Sequence, residues 1–129
     1  MRAPARAARK AKKRRAWRFG RLAERLCAWH LRLRGYRIVA TGFRTPVGEI
    51  DIVARRGRVL AMVEVKARGD LATAAEALGA RQRARVARAA QAFLKARPDC
   101  AGLDVRLDAM LVAPWRLPVH LTGAWREGA

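Results

Sequence analysis

The chain has 129 residues, 52% of them hydrophobic, and its 29 Lys and Arg residues against 10 Asp and Glu residues give a net charge of +19. This length suffices for one compact core but hardly for two domains, and the charge predicts affinity for polyanions. No apolar run could span a bilayer, and two cysteines without a signal peptide exclude a disulfide framework. We therefore expect a cytoplasmic protein with no membrane partner.

Residues 1–15 form a strongly basic segment, with eight Lys and Arg residues, no acid, and alanines between them. Such a segment is expected to be disordered in isolation and to reach toward phosphates, although a merely solvating extension explains it equally well. We therefore divide the chain into a basic tail, residues 1–15, and a single folded domain, residues 16–129.

A first helix is predicted from Trp17 to Arg34 by apolar residues at helical spacing. Its apolar stripe contains Phe19, Leu22, Leu26, Trp29 and Leu33, and a second stripe contains Arg18, Arg21, Arg25 and Arg32. A third stripe borders the apolar one and contains Gly20, Glu24, Cys27 and Leu31. Glu24 could therefore point inward, and a salt bridge on the helix to Arg21 or Arg25 is the alternative.

Two apolar runs, residues 48–54 and 60–66, alternate apolar residues with acids and predict a β-hairpin. With Arg56-Gly57 as a two-residue turn, the apolar pairs would be Ile50 with Val63, Ile52 with Ala61, and Ala54 with Val59. On the other face Asp51 would oppose Met62 and lie diagonal to Glu64, with Cβ atoms about 7–8 Å apart. Lys66 would follow on the face of Glu64.

The acidic face of this hairpin predicts a cation site. Two neighbouring carboxylates raise each other's pKa, so a divalent ion or the Lys66 ammonium is their natural partner. Mg²⁺ or Mn²⁺ suits a site made only of oxygen ligands. The apolar residues on the same face indicate that it is partly covered, while an ordinary solvated hairpin with a Glu64–Lys66 salt bridge is the alternative.

The remaining elements complete an α/β pattern. Strands are predicted over residues 36–44, with a bulge or close approach at Gly42, over 103–112, and at a short edge over 117–121. A helix is predicted from Ala80 to Ala96, where Gln82 lies on the inward stripe between Arg81 and Arg85. Asp108 is expected to be a solvated acid rather than a support for the site. This order predicts an α/β sandwich with a mixed central sheet.

Two resemblances follow from these motifs. Asp51 with Glu64-Val65-Lys66 resembles the Asp…Glu-x-Lys signature of the PD-(D/E)xK nucleases, although Ile50 stands where that name has Pro. This superfamily has the restriction-endonuclease-like fold and includes archaeal Holliday junction resolvases. The chain is also similar, over about residues 18–125, to the bacterial YraN family. The shared motifs, in order, are Gly20-x-x-x-Glu24, Gly35-Tyr36-Arg37-Ile38, Phe43-Arg44, Gly48-Glu49-Ile50-Asp51, Val63-Glu64-Val65-Lys66 and Val105-Arg106-Leu107-Asp108.

The resemblance implies a restriction-endonuclease-like three-layer sandwich and a metal-dependent nuclease acting on DNA, including branched DNA. Asp51, Glu64 and the carbonyl of Val65 would hold Mg²⁺ or Mn²⁺, Lys66 would orient or deprotonate the attacking water, and Glu24 would complete the metal shell directly or through water. The expected nucleic-acid contacts are Arg44, Arg81, Gln82 and Arg85, although the family commonly has Lys at position 82.

Two other functions remain open at this point: a non-cleaving nucleic-acid-binding module on the same fold, and a basic protein that associates with RNA or the ribosome. Branch recognition would depend on a homodimer whose geometry the sequence does not show. Nothing in the sequence reads a base, so the sequence does not identify the substrate.

Overall fold

A computed structural model describes the backbone of residues 2–124 and the side chains of residues 7–13 and 19–124. Its strands are β1 (Arg37–Thr45), β2 (Gly48–Arg56), β3 (Val59–Ala67), β4 (Asp104–Val112) and β5 (Val119–Leu121). Its helices are α1 (Arg2–Leu33), α2 (Leu71–Glu76) and α3 (Ala80–Ala96), followed by a 3₁₀ turn at Pro98–Cys100. Within residues 2–124, no helix combines the length and apolar character needed to cross a membrane.

The five strands form one mixed sheet in chain order. β3 and β4 are parallel, joined by a crossover through α2 and α3, and the other neighbours are antiparallel. One apolar cluster lies between α1 and the sheet, and another lies between α3 and the sheet. The predicted α/β sandwich with a mixed central sheet is thereby confirmed, as are the strands and the helix from Ala80, with small shifts at some ends.

Helix α1 begins at Arg2, well before the predicted start at Trp17. Residues 2–15, which composition predicts to be disordered in isolation, therefore continue the helix. Alanine, arginine and lysine are strong helix formers, so the same repetitive composition also suits an extended α-helix. The division of the chain into tail and domain stays a prediction.

The buried face of α1 is not its most apolar stripe. Ala23, Cys27 and Leu31 are fully buried, whereas Trp29 is 62% exposed and Leu33 84% exposed. Small side chains on the buried face let a helix lie close to the sheet, and this contact decides the rotation of the helix. Glu24 is adjacent to the buried stripe and half-buried, as its position beside Cys27 predicts.

The predicted register of the β2–β3 hairpin is wrong by two residues. The observed pairs are Ile52 with Val63 and Ala54 with Ala61, because the loop is Gly57-Arg58 rather than Arg56-Gly57. Gly57 has φ +61 and occupies the first loop position, where a type II′ turn requires glycine. A shift of two residues keeps each side chain on its face of the sheet. It also moves Asp51 from opposite Met62 to the level of Glu64.

A matched distortion in β1 and β2 positions Asp51. Ile50 and Val53 both pack on the α3 side although they are three residues apart, and Ala40 and Phe43 in β1 do the same. Between these pairs lie Asp51 and Gly42, with Gly42 at φ +62. The face of β2 therefore switches at Asp51, which is why Ile50 does not share the face of Ile52 as the sequence predicts. The predicted irregularity near Gly42 is present, although the register shift itself lies between Ile38 and Ala40.

Candidate active site

The two halves of the acidic motif meet where β2 and β3 separate. The paired ladder ends at Ile52 and Val63, and one residue further the Asp51 Oδ2 accepts a hydrogen bond from the Val65 main-chain N–H at 2.7 Å. The Lys66 Nζ lies 2.9 Å from the Glu64 Oε1, with 12% of the lysine side chain and 7% of the glutamate side chain exposed. The predicted proximity of Asp51, Glu64 and Lys66 is therefore present, with a buried ion pair rather than a solvated one.

Asp51 carries the strongest electrostatic perturbation of the site. Its pKa is raised to about 7, first by burial and then by the charge of Glu64, while the hydrogen bond from the Val65 N–H opposes both effects. Glu24 and Glu49 add smaller repulsions. A carboxyl group with this pKa is only partly ionised at neutral pH, and a cation bound beside it would favour its ionised form.

Glu24 reaches the same region from α1. It lines a cavity of about 250 Å³ whose wall also includes Gly20, Arg21, Gly42, Arg44, Glu49, Ile50 and Asp51. Burial raises the pKa of Glu24, while the charges of Arg21 and Arg44 lower it and those of Glu49 and Glu64 raise it. Glu24 also lines another cavity, together with Phe19, Gly20, Val65, Ala67 and Arg68. Glu24 is therefore half-buried and lines the cavity beside Asp51, while its role in the site stays a prediction.

The residues predicted to contact nucleic acid are divided between two layers. Arg44 lines the cavity beside Asp51, is largely exposed, and makes an ion pair with Glu49 at 3.6 Å. Arg81, Gln82 and Arg85 lie on α3, on the other side of the sheet, and none of them lines this cavity. The structure therefore brings Arg44 to the acidic site and leaves the α3 residues as a separate basic surface.

The described residues support a metal site only with main-chain or water ligands. Within residues 2–124, no three His, Cys, Asp or Glu side chains form a group that could hold a metal ion by themselves. Glu24, Asp51 and Glu64 consequently do not form a three-carboxylate cluster. Two carboxylates and a main-chain carbonyl remain as an oxygen-only donor set, and hard divalent cations accept such donors, often with bound waters.

Asp108, expected to be solvated, is fully buried. It accepts two 2.8 Å bonds from Arg106, a 2.9 Å bond from the Gly123 N–H, and contacts His120 Nε2 at 2.8 Å. Arg106 also donates to the Tyr36 hydroxyl at 2.6 Å. Burial would raise the pKa of Asp108, but the bonds from His120 and Arg106 outweigh it, and the pKa lies below its ordinary value. The network joins β4 to β5 and to Tyr36 in the connection between α1 and β1.

A signal for this burial exists in the sequence. Asp108 lies two and four residues before Met110 and Val112, which face the α1 cluster. Period-two alternation therefore points Asp108 into the core, and Arg106 two residues earlier is its matching partner.

Comparison with known proteins identifies the family of this chain. The family model described as "Uncharacterised protein family UPF0102" matches residues 23–112. The chain belongs to the UPF0102 family. The matched segment contains all four residues predicted to be catalytic as well as Asp108.

Individual UPF0102 proteins are similar to this chain over most of their length. The protein of Parvibaculum lavamentivorans is 55% identical over 111 residues, covering 86% of this chain and 84% of the relative. That of Rhizorhabdus wittichii is 54% identical over 110 residues, covering 85% of this chain and 92% of the relative. That of Paramagnetospirillum magneticum is 52% identical over 115 residues, covering 86% and 89%. The predicted YraN-type membership is confirmed.

Proposed function

We propose that this UPF0102 protein is a metal-dependent nuclease of the PD-(D/E)xK type that hydrolyses phosphodiester bonds in DNA. The observation that carries the proposal is the hydrogen bond from Val65 N–H to Asp51, which joins the Asp half of the motif to the residue between Glu64 and Lys66. Acid, acid and lysine thereby share one partly buried site at the point where two strands separate. A solvated hairpin face would not need this burial.

Asp51, Glu64 and the carbonyl of Val65 fit Mg²⁺ or Mn²⁺ by donor type and charge. The ammonium of Lys66 is paired with Glu64, and burial together with the charge of Glu64 raises the pKa of Asp51, which supports a cation at this site. Glu24, which is not close enough to complete a direct three-acid group, would act through a bound water. When bound, the ion supplies Lewis acidity and charge neutralisation at the scissile phosphate.

Lys66 would orient the attacking water and stabilise the negative charge that develops on the phosphate in the transition state. Its ammonium is held by Glu64 in a site from which most water is excluded, where a fixed positive charge has a larger effect than it has in bulk solvent. A hydrogen bond from this ammonium would orient the water toward the phosphorus atom. The same charge would stabilise the additional negative charge on the phosphate oxygens in the transition state.

Basic residues around the cavity suit a phosphate backbone. Arg21 and Arg44 line the cavity beside Asp51, and the chain as a whole carries a net charge of +19. Arginine binds phosphate through its forked donors, and such contacts position a strand without reading its sequence. The exposed arginines of α3 would contact a more distant part of the same nucleic acid.

The proposal is tested by a cleavage panel of labelled duplex, single-stranded, branched and RNA substrates, each with Mg²⁺, Mn²⁺ or chelator. We expect metal-dependent cleavage of at least one DNA substrate by the wild type and none by Asp51→Asn. Glu49→Gln, which alters an exposed acid of the same cavity, is the matched control and should retain cleavage. Binding without cleavage on every substrate would replace the nuclease by a binding module.

A further inference from the structure

Another cavity, of about 220 Å³, lies beside the candidate active site between α1 and β1. It shares Arg21 and Glu24 with the cavity that Asp51 lines, so the two cavities adjoin along one side of α1. Two further arginines, Arg25 and Arg32, line it together with Trp29, Ala28 and Thr41. A pocket with three guanidinium groups and one carboxylate is suited to an anion.

Trp29 gives this cavity an aromatic surface. Its side chain lies on the solvent side of α1 and is 62% exposed, which is unusual for the largest apolar residue. The Cζ of Arg32 lies 5.0 Å from the centre of the ring, within the range of a cation–π contact that holds the ring in place. An exposed, oriented indole among arginines has the composition of a site where a base stacks and its phosphates are neutralised.

We propose that this cavity binds an unpaired nucleotide adjacent to the scissile phosphate, with its base stacked on Trp29 and its phosphates on the arginines. The proposal rests on the proposed nuclease function and adds a substrate class to it. Inside a duplex both faces of each base are covered by its neighbours, so away from a duplex end only an unpaired base can offer its face to Trp29. A strand passing from the arginine pocket to Asp51 would therefore be single-stranded at the pocket, as at a flap, gap or junction.

The test is a double-mutant cycle between the protein and the base. Affinities of wild type and Trp29→Ala are measured by fluorescence anisotropy for a short labelled single strand and for the same strand with abasic sites, in chelator and at fixed salt. We expect Trp29→Ala to weaken binding of the normal strand about tenfold and binding of the abasic strand less than twofold. A duplex of the same length should respond as little as the abasic strand.

Two control variants separate stacking from other effects of the substitution. Trp29→Phe retains an aromatic face and should recover most of the lost affinity, whereas Trp115→Ala removes a fully exposed indole elsewhere and should change nothing. Arg25→Gln should lower the salt slope of single-strand binding by about 0.7, and Trp29→Ala should leave the slope unchanged. Ribose and deoxyribose versions of the strand distinguish RNA from DNA as the source of the unpaired nucleotide.

An equal loss of affinity for normal and abasic strands in Trp29→Ala would overturn the proposal. So would unchanged affinity accompanied by concentration-dependent self-association that Trp29→Ala abolishes, because Trp29 would then belong with the exposed Leu22, Leu26 and Leu33 to a protein contact. The cycle is measured without metal or cleavage. If no cleavage is found but Trp29→Ala weakens binding of the normal strand more than that of the abasic strand, the nuclease activity is rejected and the nucleotide-binding site is retained.

Discussion

The carboxylate of Asp51 accepts a 2.7 Å hydrogen bond from the main-chain N–H of Val65. Val65 lies between Glu64 and Lys66, so this single bond holds Asp51 of β2 close to both of these residues of β3. Main-chain groups have no rotamers, and the relative placement of the three side chains therefore depends on the sheet more than on side-chain packing. The local switch of face at Asp51, opposite Gly42 in β1, makes the bond geometrically accessible.

Asp51→Asn should stabilise the protein at alkaline pH. The pKa of Asp51 is raised from an ordinary value of 3.8 to about 7, so between these values the folded state binds more protons than the unfolded state. The contribution of Asp51 to stability therefore falls as pH rises from about 4 to 7. Asparagine retains an oxygen that accepts the Val65 bond, and we expect a gain of about 1–3 kcal/mol at pH 8 that vanishes near pH 4.

Denaturant unfolding of both proteins across this pH range measures the effect. Mg²⁺ should stabilise the wild type and so reduce the difference in free energy of unfolding between it and Asp51→Asn, because the ion compensates the carboxylate charge that asparagine lacks. Glu49→Gln, on an exposed acid of the same cavity, should show little pH-dependent difference. A gap between wild type and Asp51→Asn that does not change with pH would contradict the assignment of the raised pKa to Asp51.

Asp108→Asn should be strongly destabilising. The substitution leaves Arg106 with only a neutral partner beneath the surface, and loss of one member of a buried pair costs about 3–5 kcal/mol. Because the folded-state pKa of Asp108 is lowered, its contribution is present above the unfolded pKa and is lost as pH falls through the folded value. Thermal unfolding at pH 7 and under acidic conditions measures both effects.

The chain offers a matched control for Asp108. Arg97 and Asp99 have the same spacing and the same two-bond geometry, but their side chains are 40% and 64% exposed. Asp99→Asn should therefore cost much less free energy of unfolding than Asp108→Asn. Equal costs for the two substitutions would show that the burial of Asp108 has no energetic role.

Gly48→Ala should disrupt the contact between β2 and α3. A Cβ at Gly48 would lie 2.1 Å from the main-chain oxygen of Arg85, which cannot move without the helix. We expect a loss of about 3 kcal/mol together with weaker DNA binding, because α3 carries Arg81 and Arg85. Gly69→Ala, where a Cβ would meet nothing within 4 Å, is the control and should change stability by less than about 0.5 kcal/mol. Chemical denaturation that cannot distinguish the two variants would contradict this close packing.

The sequence predicts the layers of this fold and the members of its acidic motif, but not their detailed geometry. Period-two alternation identifies β2 and β3, and the period of α3 gives its buried face, because those patterns depend on one local repeat. The position of Gly57 within its loop depends on a positive φ that the sequence alone does not assign to one turn position. The buried face of α1 depends on how closely the helix approaches the sheet. Small residues such as Ala23 allow a close approach and therefore lie on the buried face. The alternation of Asp108 with Met110 and Val112 indicates its burial, but its partner His120 lies on β5, and the sequence does not show that the two strands pair.

The central claim, that Lys66 acts at the attacking water of a metal-dependent nuclease, is tested most directly by single-turnover cleavage. Wild type, Lys66→Ala and Lys66→Arg are compared on a labelled junction and a plain duplex with Mg²⁺ or Mn²⁺, after equal DNA binding has been verified. Cleavage by the wild type, its loss in Lys66→Ala and poor rescue by Lys66→Arg are the predicted result, because the guanidinium is larger and planar and does not place a compact positive charge at the attacking water as the ammonium does. Turnover that is equal in all three proteins would contradict the account.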